Sequence, residues 1–448
     1  MSANAPAVRP AIPVLERPVA EAAASGRLWH LYLIATVVLI PFVASIGPGQ
    51  LAIVDILNVF ALAAFAIMAL ARRPAITVPF LIPVFVISAA SLLAITNASS
   101  PSQSLFTIAQ DAYLFLWFVM LANVLGAHDE LRAVRIAWMW VSAGISIYGV
   151  VALMSHGYGF SDLFSPKGER AVATFANANV YSDYLVLSFF VVASLSGEVS
   201  RVVRWPAIAA ILLGIIASKS LGGMLSLVGG LGAWFIVRAL TRRASKLTLV
   251  AAVLVVTGLG ALGVWVVKGF GVGERGLDAA ASQTVAGRFG KSSESRLRIW
   301  GQLRQRYEQS PLGIGPGNSK YLQLSIATRE RTDSYYGKEA HNDYLGYAVE
   351  RGPFALIALL VLIWAAARRP WLAWSSAPGS RWREGIAGTW TAALVAGIVA
   401  SSIHSFTVEK LHFRHFWFFL ALLCALSVRM GRGEAAVNEP VSRRIRRS

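Results

Sequence analysis

The sequence predicts an all-α, polytopic membrane fold of about twelve transmembrane helices, and three observations carry that reading. Hydrophobic residues make up 56% of the 448 and charged residues only 14%, against about 25% charged in an ordinary globular domain. The apolar residues arrive in runs of about 15 to 25, the length a helix needs to cross hydrocarbon. Backbone polar groups in lipid must be satisfied within the chain, so such runs are helices.

Taken in order, residues 1–28 are rich in Ala, Pro and Val, with Arg9, Arg17 and Arg27 among them. They lack an uninterrupted apolar segment followed by a cleavage site and read as a disordered cytoplasmic tail. The expected spans are 29–48, 51–71, 76–96, 104–126, 136–154, 181–197, 206–219, 222–240, 247–267, 344–366, 386–404 and 413–430. Connections after even-numbered spans carry Arg72 and Arg73, Arg132 and Arg135, Arg201 and Arg204, Arg242, Arg243 and Lys246, and Arg368, Arg369, Arg381 and Arg383. Short connections after odd-numbered spans hold almost none, so the positive-inside rule places both termini in the cytoplasm. That count depends on a reversal at "SKSLGG", because a single kinked helix there would turn the later basic clusters outward. Residues 431–448 close the chain as a basic cytoplasmic tail, leaving 29–430 as one helical domain.

Composition also excludes. The one cysteine, Cys424, lies in an apolar run, which rules out an internal disulfide framework or a cysteine-rich metal site. The net charge of +18 sits largely where a cytoplasmic membrane face would hold it and does not argue for nucleic acid. "GVGERG" at 271–276 matches a dinucleotide glycine spacing by letter, but it follows a membrane helix instead of a strand.

Function is expected in two outer loops too long to be connectors, 155–180 and 268–343. In the second, "SESRLRIWGQLRQRYEQSP" places Leu297, Trp300, Leu303 and Tyr307 at helical spacing, with Glu294–Arg298 and Arg304–Glu308 able to pair at i,i+4. Trp and Tyr at the edge of that stripe suit the headgroup level. "LGIGPGNSKYL" follows, with glycines at 313, 315 and 317, a tight turn whose backbone can approach a ligand closely. Thirteen Lys or Arg lie between Lys268 and Arg351, and guanidinium groups form bidentate bonds to phosphate oxygens. A solvated helix face is the plainer account of any single one.

His341, in "KEAHNDYLGYAVERG", stands where the loop re-enters the membrane. A neutral imidazole with an ordinary pKa of about 6.5 can accept a proton from a hydroxyl; a capping or surface histidine is the alternative. His404, His412, His415 and Glu409 cluster in the last outer turn, where interfacial hydrogen bonding is preferred to a metal site. Asp55, Asp111 and Lys219, within or beside apolar spans, are functional candidates because ionisable groups there are costly.

These residues together resemble the O-antigen ligase and O-antigen polymerase superfamily. The specific segments are "RLRIWGQLRQRYEQSPLGIGPGNSKYL", "AHNDYLGYAVERGPFALIALL" and "FANANVYSDYL" at 175–185, the last with Ala178 where proline is usual. The resemblance implies a fold related to the GT-C class and inverting glycosyl transfer, without metal, cofactor or nucleotide sugar. The donor would be an undecaprenyl-pyrophosphate-linked glycan at the periplasmic face of the bacterial inner membrane. It further implies that His341 activates the acceptor hydroxyl and that Arg288, Arg296 and Arg298 hold the donor pyrophosphate. Arg170, Asn179, Trp300, Gly315, Asn342, Tyr344 and Glu350 are supporting or acceptor-side candidates.

Where the family often has Ser-Arg-Gly, this chain has "SKSLGG", so either Lys219 supplies the arginine's charge or Leu221 takes its place. That departure from the ligase pattern favours polymerisation of lipid-linked repeat units over transfer to a lipid A core. Besides membrane lipids the expected partners are the lipid-linked donor and one of these acceptors; protein partners are not specified by the sequence. A lipid-linked glycan transporter, which would need no base at His341, is the competing class.

Overall fold

The computed structural model describes residues 26–43, 52–127, 131–155, 170–175, 177–242, 299–322, 324–328, 331–335, 341–379 and 382–432. The helices are α1 (Gly26–Leu39), α2 (Ile53–Arg72), α3 (Leu81–Ala94), α4 (Pro101–Ala127), α5 (Leu131–Ser155), α6 (Ala178–Ser194), α7 (Arg201–Ala217) and α8 (Leu221–Thr241). Residues 299–309 form α9, followed by α10 (Asp343–Ser376), α11 (Gly388–His404) and α12 (Arg414–Arg432). Eleven of the twelve expected segments fall on α1–α8 and α10–α12; the ninth, 247–267, lies outside the described residues. Six helical stretches are long and apolar enough to cross a membrane, namely α2, α5, α8, α10, Pro101–Gly126 and Arg383–His404. The fold is helical, and the large loop adds a small antiparallel hairpin, β1 (Leu324–Thr328) paired with β2 (Arg331–Tyr335). Ile326, Thr328, Thr332 and Tyr335 in it are residue types that favour extended backbone.

α6, α11 and α12 form the centre of the bundle. From His415 to Ser427 every residue of α12 is buried, as expected of a helix apolar on all faces. α2 and α3 are peripheral and turn large apolar side chains outward, Leu70 at 79% exposure and Ile82 at 76%, a surface suited to lipid.

The chain does reverse at "SKSLGG". A Cβ at Gly214 would lie 2.7 Å from the Tyr181 hydroxyl near the start of α6, and one at Gly223 would strike Ser182. Further along α8, a Cβ at Gly230 would meet Phe190 at 2.5 Å, and Arg238 donates to the Glu384 carbonyl at 3.0 Å. α7 therefore climbs to the N-terminal end of α6 and α8 descends beside it. Lys219 makes the turn at φ 48°.

At the bundle end opposite the large loop, Arg135 pairs with Glu198 through Nη1–Oε1 at 2.9 Å and Nη2–Oε2 at 2.7 Å. Trp390 Nε1 donates to the same carboxylate at 2.8 Å. A buried arginine and a carboxylate thus satisfy one another where neither could be left alone.

Candidate functional site

The site is built on a broken helix. Pro353 has no N–H to continue α10 and Gly352 opens it at φ 78°, which deprives nearby carbonyls of helical donors. The turn after α9 supplies replacements: Ile314 N–H donates to the Val349 carbonyl and Gly315 N–H to the Glu350 carbonyl, both at 3.0 Å. Gly313, at φ 98°, lies so close that a Cβ there would stand 2.6 Å from the Glu350 carbonyl oxygen. The close approach expected of this glycine turn is thus largely to the protein's own helix. The Glu350 carboxylate completes the join, accepting from Gly317 N–H at 2.8 Å, Ser319 N–H at 3.1 Å and the Ser319 hydroxyl at 2.6 Å.

The same turn is tied to the α3–α4 connection. Asn97 Nδ2 donates to the Gly313 carbonyl at 3.1 Å, Ser99 Oγ to Asn318 Oδ1 at 2.9 Å, and Ser104 Oγ to the Pro316 carbonyl at 3.1 Å. Gly315, at φ 90°, fits against Ala98 and Ser104, each 2.6 Å from where a Cβ would stand. α9 rests on α10 through Ile299, Leu303 and Val349, with Trp300 and Tyr307 packed beside them. The apolar stripe of the loop helix is therefore buried against protein. On its exposed face Arg304 pairs with Glu308 at 3.1 Å.

The "HNDY" stretch docks on the loop between α11 and α12. His341 N–H donates to Glu409 Oε1 at 3.1 Å, Asp343 N–H to the Ser405 carbonyl at 2.8 Å, Lys410 N–H to Asp343 Oδ1 at 3.0 Å and the Tyr344 hydroxyl to the Ser402 carbonyl at 2.8 Å. Asn342 caps α10, its Oδ1 accepting from Leu345 N–H at 3.1 Å, the role asparagine fills well at a helix start. His341 is half-buried at φ 49°, a backbone region that histidine enters more readily than most residues.

Beside these groups lies a cavity of about 700 Å³, walled by α2, α4, the glycine turn, the start of α10 and the α11–α12 loop. Asp55 in its wall holds Arg414, with Nε–Oδ1 at 2.6 Å, and accepts the Tyr113 hydroxyl at 2.9 Å. Asp111 holds Arg351 at 2.6 Å. His412 is exposed to the cavity, but the surrounding protein, then Arg414 and His415, push its pKa down to about 4. It is neutral at pH 7.

A second polar group surrounds the α7–α8 turn. Arg170 donates through Nε to the Ser218 carbonyl at 2.8 Å and through Nη2 to Asn179 Oδ1 at 2.9 Å, and the Ser220 hydroxyl donates to the same Oδ1 at 3.0 Å. Ser220 caps α8 by accepting from Gly223 N–H at 3.3 Å. In the "FANAN" segment Asn177 caps α6 by accepting from Asn179 N–H at 2.8 Å. Ala178 holds the first helical position, where proline is also favoured. The half-buried Lys219 thus stands between Arg170 and the N-terminus of α8, while Leu221 is already inside the helix. A Cβ at Gly222 would strike Thr407, so the α11–α12 loop separates this group from the cavity.

Behind that loop lies a buried cluster in which His404 and His415, expected to make hydrogen bonds, meet Asp183 and Lys410, which sequence reasoning missed. Asp183 Oδ1 meets His404 Nδ1 at 2.7 Å and Lys410 Nζ at 3.1 Å, and Oδ2 meets His415 Nε2 at 2.8 Å. An aspartate inside the apolar run 181–197 was the available signal. His404 and His415 converge on Asp183, and among the described residues no group of three or more His, Cys, Asp or Glu could hold a metal ion. Arg351 and Arg414 in the cavity wall were likewise not singled out as binding residues. Arg288, Arg296 and Arg298, with Glu294, Leu297 and "GVGERG", lie outside the described residues.

No curated protein matches the chain. The family model described as O-antigen ligase matches residues 206–360, which include α8, α9, the glycine turn, His341 and the break in α10. With its apolar helices, this is a multi-pass membrane protein. Over residues 206–360 the chain is thus similar to the O-antigen ligase family, a match that supports the O-antigen ligase and polymerase superfamily.

Proposed function

We propose that this protein moves a glycan from an undecaprenyl-pyrophosphate carrier to an acceptor hydroxyl at the periplasmic face of the bacterial inner membrane, with both termini in the cytoplasm. The acceptor is a second lipid-linked repeat unit, so the product is a longer O-antigen or exopolysaccharide chain. The observation that carries this reading is the docking of His341 on the loop that walls the polar cavity, through the His341 N–H to Glu409 bond.

In this reading His341 takes the proton of the acceptor hydroxyl as its oxygen attacks the anomeric carbon. The bond to the pyrophosphate oxygen breaks with inversion, and the electron pair leaves with the carrier. A base acting alone would leave the departing charge unsupported, so cations belong on the leaving side. Arg170 and Lys219 supply positive charge beside the N-terminus of α8, whose dipole adds to it, an arrangement suited to phosphate. Arg288, Arg296 and Arg298 are proposed to join them. Asn179 holds Arg170 in place, while Trp300, Gly315, Asn342, Tyr344 and Glu350 fix the loop and the start of α10 around the base. No metal or other cofactor is needed for these steps.

A ligase reading, with lipid A core as acceptor, is supported by the description of the matching family model. Proteoliposomes holding the purified protein and its lipid-linked glycan, with and without a lipid A core, test both. Longer lipid-linked chains without core support the polymerase, and product only on added core replaces it with the ligase. Translocation without any covalent product rejects glycosyl transfer.

A further inference from the structure

The cavity beside His341 has a charge that the pyrophosphate reading does not use. Its described lining holds five carboxylates, those of Asp55, Asp111, Asp343, Glu350 and Glu409, against two guanidiniums, Arg351 and Arg414, a surplus of three negative charges. Both arginines are already bound to carboxylates within the protein. Asp343 is 3% exposed and its Oδ2, buried in the wall, has no hydrogen-bond partner among the described residues, although a buried carboxylate oxygen ordinarily has one.

The rest of the described lining is neutral and suited to sugars. Gln103, Thr107 and Gln110 offer amides and a hydroxyl, and Phe106 turns an exposed aromatic ring into the same space. Carboxylates accept strongly from hydroxyl groups, amides both give and accept, and an aromatic ring covers the C–H face of a pyranose. The volume falls within the ordinary range for a small-molecule site.

We infer that this cavity seats an uncharged, hydroxyl-rich segment of the glycan and selects against sugars that carry a carboxylate. The inference rests on the glycosyl-transfer reading for the identity of the ligand as a glycan. It assigns the pyrophosphate to a different place, on the cationic side of the α11–α12 loop. A uronic acid in the cavity would face the negative surplus against protein walls, where charge is screened less than in bulk water.

The test is protection of a thiol inside the cavity. Gln110→Cys in the full-length protein, reconstituted in nanodiscs, is labelled with an uncharged maleimide; Thr107→Cys is a second reporter. The wild-type protein, whose Cys424 is buried, provides the blank. Two polyprenyl-pyrophosphate glycans that differ only in a hexose or the corresponding hexuronic acid are compared, with inorganic pyrophosphate as a third arm. The neutral glycan is expected to protect at a concentration about tenfold lower than the acidic one, with the gap narrowing as salt is raised. Pyrophosphate alone should not protect. Gln103→Lys, which adds a positive charge to the wall, should narrow the difference.

Equal protection by both glycans, or better protection by the acidic one, overturns the charge selection while leaving glycosyl transfer intact. Protection by pyrophosphate, or by neither glycan, overturns the cavity as a sugar seat. Product formation from the neutral donor, measured separately, reports on the transferase reading, so the two failures are distinguishable.

Discussion

The Glu350 carboxylate accepts the backbone N–H of Gly317 at 2.8 Å, so a side chain on a broken helix fixes the turn that forms part of the cavity wall. Glu350→Ala removes the acceptor for that N–H and for both donors of Ser319. It is expected to cost about 1–3 kcal/mol, read as a lower Tm in detergent and faster proteolysis of 311–322. Glu350→Gln keeps one acceptor oxygen and should lose less; equal loss in the two variants would contradict this account of the carboxylate.

Two glycines separated by about two helical turns and a bend should respond oppositely to the same substitution. Gly313→Ala meets both an unfavourable φ of 98° and the Glu350 carbonyl, and about 1–3 kcal/mol of destabilisation is expected. Gly301 lies in α9 with nothing within 4 Å of an added Cβ. Gly301→Ala should be neutral or stabilise by up to about 1 kcal/mol, and thermal unfolding of the two variants side by side decides the matter.

The sequence foretold the glycine turn at 313–317 but not its partner. Residues 313, 315 and 317 announce positive φ, whereas nothing local reveals that Val349 and Glu350 need donors, because that need arises only from the Gly352–Pro353 break and a fold that brings the segments together. Helix ends were more legible: Asn177, Ser220 and Asn342 are ordinary cap residues and each accepts a backbone N–H at its helix start. Spans were legible from apolar length, and the reversal at Lys219 from the charges that follow it. Pairings such as Asp55 with Arg414 were not, since each residue alone resembles a charge at a membrane edge. The apolar stripe of α9 was correctly periodic, yet periodicity does not say whether lipid or Val349 covers it.

Asp183 holds three groups at once, so charge removal there should be costly. Asp183→Asn leaves Lys410 buried without its counter-ion, and a loss of about 3–5 kcal/mol is expected. Lys410→Met combined with Asp183→Asn should recover part of it. A double-mutant cycle in chemical or thermal unfolding measures the coupling, and strict additivity of the two losses would refute the pairing.

His341 can be tested without disturbing its backbone. Asparagine tolerates φ near 49°, and the bond to Glu409 uses only the backbone N–H, so His341→Asn keeps the backbone conformation and that bond. If the imidazole is the base, His341→Asn lowers product formation about 10²–10⁴-fold. Activity close to wild type would remove His341 from the chemistry.

The clasp between the glycine turn and the α3–α4 connection bears on how the protein is made. Asn97 reaches the Gly313 carbonyl across 216 positions of chain, and Asp111 waits for an arginine 240 positions later. During synthesis α3 and α4 emerge early, and contacts that span such separations can form only after the later segments are in place. Insertion of α10 therefore comes before closure of the cavity, and a nascent chain halted short of Asp343 would hold most of its membrane helices with Asp111 still lacking Arg351.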